Sequence, residues 1–91
     1  MAEDVRDNPA ESRFELEVER QTAFVYYETK PGIITFTHTD VPLVMSGKGV
    51  GSRLIKGALD QARARGLKVV AECPFVAAFI GKHKEYGDLV A

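Results

Sequence analysis

The sequence predicts an α/β (α+β) fold, with a mixed, mostly antiparallel sheet that contains one parallel strand pair and packs against two main helices. Three observations carry this. Residues 13 to 41 contain runs with the period of two that strands require, and residues 50 to 63 switch to the 3.6-residue period of an amphipathic helix. A strand, that helix and a further strand then occupy residues 33 to 71, enough chain for a right-handed crossover that makes the two strands parallel.

Taken in order, the first residues are polar and include Asn8-Pro9, so residues 1–12 read as a flexible tail ahead of a compact domain over 13–91. Phe14, Leu16 and Val18 alternate with Arg13, Glu15, Glu17 and Glu19, which predicts a strand with one wet face. The next run, Thr22 to Thr29, is aromatic and β-branched, and Lys30-Pro31-Gly32 turns it into a third run from Ile33 to Val41. Short turns between the three imply an antiparallel meander. Val50, Leu54, Ala58 and Ala62 with Ile55 and Leu59 form one apolar stripe, while Arg53, Lys56, Asp60 and Arg63 face elsewhere. Gly66 is the expected stop for this helix. A fourth strand follows over Leu67 to Ala71, and Pro74 opens a short apolar helix that fades in Gly81 to Tyr86.

Composition excludes several classes of function. The chain has 91 residues, 45% of them hydrophobic and 27% charged, as expected for one small globular domain. Twelve basic and 13 acidic side chains leave a net charge of −1, and no basic stripe with interleaved aromatics appears, so a nucleic-acid partner is not expected. No apolar run approaches the roughly 20 residues that span a bilayer, and Met1-Ala2-Glu3-Asp4 does not begin a secretion signal; the expected location is cytoplasmic, with no membrane partner. The single cysteine, Cys73, can make neither an internal disulfide nor a structural zinc site alone, and no metal site is expected.

The densest local signal is Ser46-Gly47-Lys48-Gly49-Val50-Gly51-Ser52, three alternate glycines between a strand and a helix. Glycines allow positive φ and close approach, and the opening turn of a helix offers unpaired amides and a partial positive charge, a combination suited to phosphate. The letters do not fit a nucleotide P-loop, because Lys48 lies inside the glycine cluster; nor do glycines spaced two and two fit a dinucleotide fingerprint. A tight connection with no ligand is the plain alternative. Cys73 falls at the same sheet end as this loop, at the end of the parallel partner strand, which is where open α/β sheets bind ligands.

Four ordered blocks together resemble the GNAT superfamily of acetyl-CoA-dependent N-acetyltransferases, specifically its small single-domain YjdJ-like branch. They are Thr37-His38-Thr39-Asp40-Val41-Pro42, Gly47-Lys48-Gly49-Val50-Gly51-Ser52-Arg53-Leu54, Cys73-Pro74-Phe75-Val76, and Lys82-His83-Lys84-Glu85-Tyr86-Gly87-Asp88-Leu89-Val90. The resemblance implies acetyl-CoA as acetyl donor, with its pyrophosphate on the backbone amides of Ser46 to Ser52 and its pantetheine arm between two splayed parallel strands, beside Val41. Ser46 stands where the superfamily has Arg or Gln, so a long side chain is missing while the amides remain. Lys48 adds a charge for phosphate. The implied activity is transfer of acetyl to an unidentified amine, a small molecule or a protein amine. The alternative is a non-catalytic acyl-CoA-binding or interaction module.

Such a transfer needs a neutral attacking amine, a donor to the oxyanion and a proton for the departing thiolate. Asp40 and His38 are candidates to take the amine's proton, and Tyr86 resembles the superfamily's late tyrosine that protonates the thiolate. Cys73 is either a nucleophile that carries the acetyl group or a buried lining residue. His83 reads as a helix-end residue that satisfies terminal carbonyls. The chain has no room for the superfamily's usual acceptor-site helices and extra strands, which leaves the acceptor groove shallow or completed by a second molecule, with the oligomeric state open.

Overall fold

A computed structural model describes residues 5–45 and 49–91. Five strands pair in chain order: β1 (Arg6–Asn8), β2 (Arg13–Val18), β3 (Gln21–Lys30), β4 (Ile33–Asp40) and β5 (Lys68–Ala71). The first four are antiparallel neighbours, and β4 and β5 run parallel from Ile33↔Lys68 to Phe36↔Ala71. The crossover between them is α1 (Val50–Ala64), and α2 (Pro74–Lys82) follows β5. The mixed sheet with one parallel pair is thus the fold that the periodicities predict.

Local chemistry explains the element ends. Gly66, at φ +72°, ends α1, with its own N–H on Arg63 O and the Leu67 N–H on Ala62 O, so these two carbonyls of the last turn are satisfied. The β2–β3 turn is less well matched to its residues. Glu19 and Arg20 both have positive φ, 52° and 69°, between the paired Val18 and Gln21, the geometry that favours Asn-Gly. Glu19→Asn with Arg20→Gly should therefore raise stability by about 1 kcal/mol, or about 4–8 °C in Tm. Thermal melts check this; an unchanged or lower Tm would mean that the native side chains stabilise the turn by as much as the strain costs.

One face of the sheet carries the core. Phe14, Leu16, Val25, Ile34, Phe36 and Val69 are fully or almost fully buried against Val50, Leu54, Ile55, Ala58, Leu59 and Ala62 of α1, and Val76 and Phe79 of α2 join the same cluster. The helix stripe expected from the sequence is the stripe that is buried. The opposite face holds two rows read from the strand register: Asn8, Arg13, Tyr26, His38, and Arg6, Glu15, Phe24, Asp40.

The expected tail over 1–12 is corrected for the residues described. Arg6–Asn8 forms an edge strand on β2, and Pro9–Glu11 forms a 3₁₀ turn. Val5 fills the gap left by Gly57 on α1, where a Cβ would stand 2.4 Å from Val5 Cγ2, and Gln61 Nε2 donates to Val5 O at 2.8 Å. Asp7 accepts from the Tyr27 hydroxyl at 2.5 Å and pairs with Arg65 at 2.8 Å. Polar composition reads as a tail only while these partners, 20 to 58 residues away in sequence, are unknown.

Burial, and then the bond to Asp7, push the Tyr27 phenol up to about 12. Because the folded value lies above the ordinary 10, this contribution to stability is complete below pH 10 and is lost as pH rises toward 12. Denaturation midpoints should fall more between pH 10 and 12 for the native protein than for Tyr27→Phe; equal losses would mean that Tyr27 titrates as it does in the unfolded chain.

Candidate functional site

The parallel pair opens into a fork. The β4–β5 ladder stops at Phe36↔Ala71, while β4 continues to Asp40 in pairing with β3. At the crotch, the N–H groups of Glu72 and Cys73 both donate to Phe36 O at 3.0 Å, so two successive amides turn the chain away from β4 on one carbonyl. Pro74 then starts α2, where its missing N–H costs nothing.

Inside the fork, Thr39 Oγ1 and Cys73 Sγ are 3.1 Å apart, and Cys73 is only 4% exposed. A β-bulge puts them together. The register moves from Tyr26↔His38 to Tyr27↔Phe36, leaving Thr37 as the extra residue. Thr39 therefore lies opposite core-facing Val25, on the helix side, while His38 and Asp40 lie opposite Tyr26 and Phe24 on the open side. The candidate catalytic residues are divided by the sheet: Cys73 on one face, His38 and Asp40 on the other. The His38 ring stacks on Tyr26, with centroids 6.0 Å apart and planes at 28°.

Tyr86 does not join the Cys73 pair. It is buried in the 3₁₀ turn Lys84–Leu89, and its hydroxyl donates to Asp60 Oδ1 of α1 at 2.6 Å. Burial and then the Asp60 carboxylate raise the pKa of its phenol, which makes it a poorer acid for work near neutrality.

The loop side of the fork is set by the start of α1. Gly49 has φ +72° and ψ 12°, and among the described residues nothing stands within 4 Å of where its Cβ would be. The first helical bond runs from Arg53 N–H to Gly49 O at 3.1 Å, so the amides of Val50, Gly51 and Ser52 precede the ladder and point out of the helix start. Amides that the helical ladder leaves over, at the positive end of a helix and beside a site open among the described residues, fit an anionic group. Gly51 is confined instead: its Cβ would stand 2.5 Å from Phe75 Cζ. Val41 is partly buried against the core. Ser46, Gly47 and Lys48 of the expected phosphate loop lie outside the described residues.

Sequence reasoning missed Thr39 and Phe75. Thr39 was within reach, because alternation alone places it on the face opposite His38 and Asp40; which face meets Cys73 depends on the bulge. Among the described residues, no group of three His, Cys, Asp or Glu could hold a metal ion, and no helix is long and apolar enough to cross a membrane.

The family model for GCN5-related N-acetyltransferases matches residues 13–89. No curated protein matches. Among solved structures, the chain is similar to a "GCN5-like putative N-acetyltransferase" from Staphylococcus aureus determined by NMR in solution, at 27% identity and a TM-score of 0.74 over 97% of this chain and 87% of that one. A parallel fork with a glycine-started helix beside it, and a family match over most of its length, lead to one conclusion: this chain belongs to the GCN5-related N-acetyltransferases.

Proposed function

We propose that this protein transfers an acetyl group from acetyl-CoA to an amine, and the observation that carries the reading is the fork with its Thr39–Cys73 pair beside the Gly49 end of α1. In this reading the amides of Val50, Gly51 and Ser52, with the residues 46–48 that precede them, hold the pyrophosphate. The thioester supplies an activated acetyl carbon. Thr39 and Cys73 offer O–H and S–H groups on the helix side of the fork, suited to stabilise negative charge on oxygen or to return a proton to the sulfur that leaves. The amine acceptor approaches from the open face, where His38 or Asp40 takes its proton directly or through water. Bond making joins nitrogen to the acetyl carbon, and bond breaking releases CoA. In this reading Tyr86 ties the 3₁₀ turn Lys84–Leu89 to α1 through Asp60 rather than serving as the acid.

Calorimetric titration with acetyl-CoA, followed by a panel of primary amines with release of CoA thiol as readout, tests this. Binding with amine-dependent thiol release supports the transferase; binding without it would favour an acyl-CoA-binding module, and no binding would refute both.

A further inference from the structure

A line of side-chain contacts crosses the open face of the sheet and ends on the His38 ring. Asn8 Nδ2 and Arg13 Nε both donate to Glu15 Oε2, at 2.9 and 2.8 Å. Arg13 lies over the Phe24 ring, 4.0 Å from its centroid, and donates through Nη1 to the Tyr26 hydroxyl at 3.3 Å. Tyr26 then stacks on His38. Residues of β1, β2, β3 and β4 are joined in this way, and the reaction above uses only the last of them.

Tyr26 acts on His38 through both its ring and its backbone. The imidazole is exposed, and no hydrogen bond or ion pair from a described residue reaches it, so the Tyr26 ring is its support. The backbone holds the bulge: Thr37, the extra residue, donates from Oγ1 to Tyr26 O at 3.4 Å. Strict alternation after buried Phe36 would turn His38 inward, and the bulge turns it to the open face on the same side as Asp40. An unsupported imidazole samples several rotamers, and a misplacement of about 1 Å costs up to about 100-fold in rate.

We propose that Tyr26 is a positioning residue for the acceptor side: it holds His38, rather than Asp40, in place to take the amine's proton, and Arg13, clamped by Glu15 and Phe24, keeps the Tyr26 ring from turning. The inference rests on the transferase reading. An imidazole suits this task near neutral pH. Asp40, at the strand end, has no hydrogen-bond or ion-pair partner among the described residues to hold its carboxylate. The proton that nitrogen loses on joining the acetyl carbon goes to the imidazole and on to solvent. The departing sulfur takes its own from Thr39 or Cys73 on the other face, and solvent restores it.

Steady-state thiol release with the fastest primary amine of the panel above, run beside acetyl-CoA titrations and thermal melts, tests this. His38→Gln should lower kcat about 100-fold. Tyr26→Leu should lower kcat about 30-fold alone but less than about twofold in His38→Gln, because a residue that acts through His38 then has nothing to act on. Tyr26→Phe keeps the stack and should hold kcat within about threefold of native. Acetyl-CoA affinity should be the same in all of them. Proton NMR of the native protein gives a check that needs no folded Tyr26 variant: the Tyr26 ring current should place the His38 ring signals upfield of free histidine, and His38→Gln identifies them beside those of His83, the other histidine. Equal losses in both backgrounds, a native kcat in Tyr26→Leu or His38→Gln, or His38 signals at free-histidine positions would overturn the positioning role, while amine-dependent thiol release would leave the transferase reading standing. If the native protein releases no thiol with any amine, that reading fails and takes the positioning role with it.

Discussion

Gly49→Asp is expected to weaken acetyl-CoA binding by about 100-fold, because a carboxylate would stand at the point where the proposed reading puts phosphate on the first-turn amides of α1. The fold should survive. Among the described residues nothing lies within 4 Å of the added Cβ, and the cost there is that of holding a non-glycine residue at φ +72°, about 1 kcal/mol and so a few degrees of Tm. Aspartate tolerates this conformation better than most residues. Gly51 offers no such clean test: any side chain there must first displace the Phe75 ring, so lost binding would have two causes. Titration of Gly49→Asp beside its thermal melt separates the effects. Native affinity in a folded variant would remove the start of α1 from the binding site.

Cys73→Ala should leave acetyl-CoA affinity within about twofold and lower the rate of amine-dependent thiol release by about 100-fold, the lower end of what a positioned proton-transfer group contributes. Cys73→Ser keeps a hydroxyl near Thr39 and should lose less, with Thr39→Val falling between the two because it leaves the thiol without its oxygen partner. Steady-state kinetics that report kcat apart from KM distinguish chemistry from binding. An intact kcat in Cys73→Ala would return Cys73 to the core, where its 4% exposure already places most of its surface.

Much of this architecture was legible in the sequence for a plain physical reason. Strand and helix periods are local, so Phe14-Leu16-Val18 and Val50-Leu54-Ala58 disclose their buried faces without knowledge of any partner. Gly66 and Pro74 mark element ends because their backbone constraints are also local. The residues 5–12 were misread on the same ground. Their order depends on Gly57, Gln61, Tyr27 and Arg65, none of them a sequence neighbour.

The candidate site divides in the same way. Spacing along the chain is enough to reveal the parallel crossover, the glycine-started helix at its end and the presence of Cys73 at the neighbouring strand end. Which groups share a face depends on pairing between distant strands. One extra residue at Thr37 places Thr39 against Cys73 and turns His38 and Asp40 to the opposite side, while a hydrogen bond to Asp60 holds Tyr86 on α1. A bulge reverses the facing of every residue beyond it, and whether a strand bulges is settled by its partner strand rather than by its own letters.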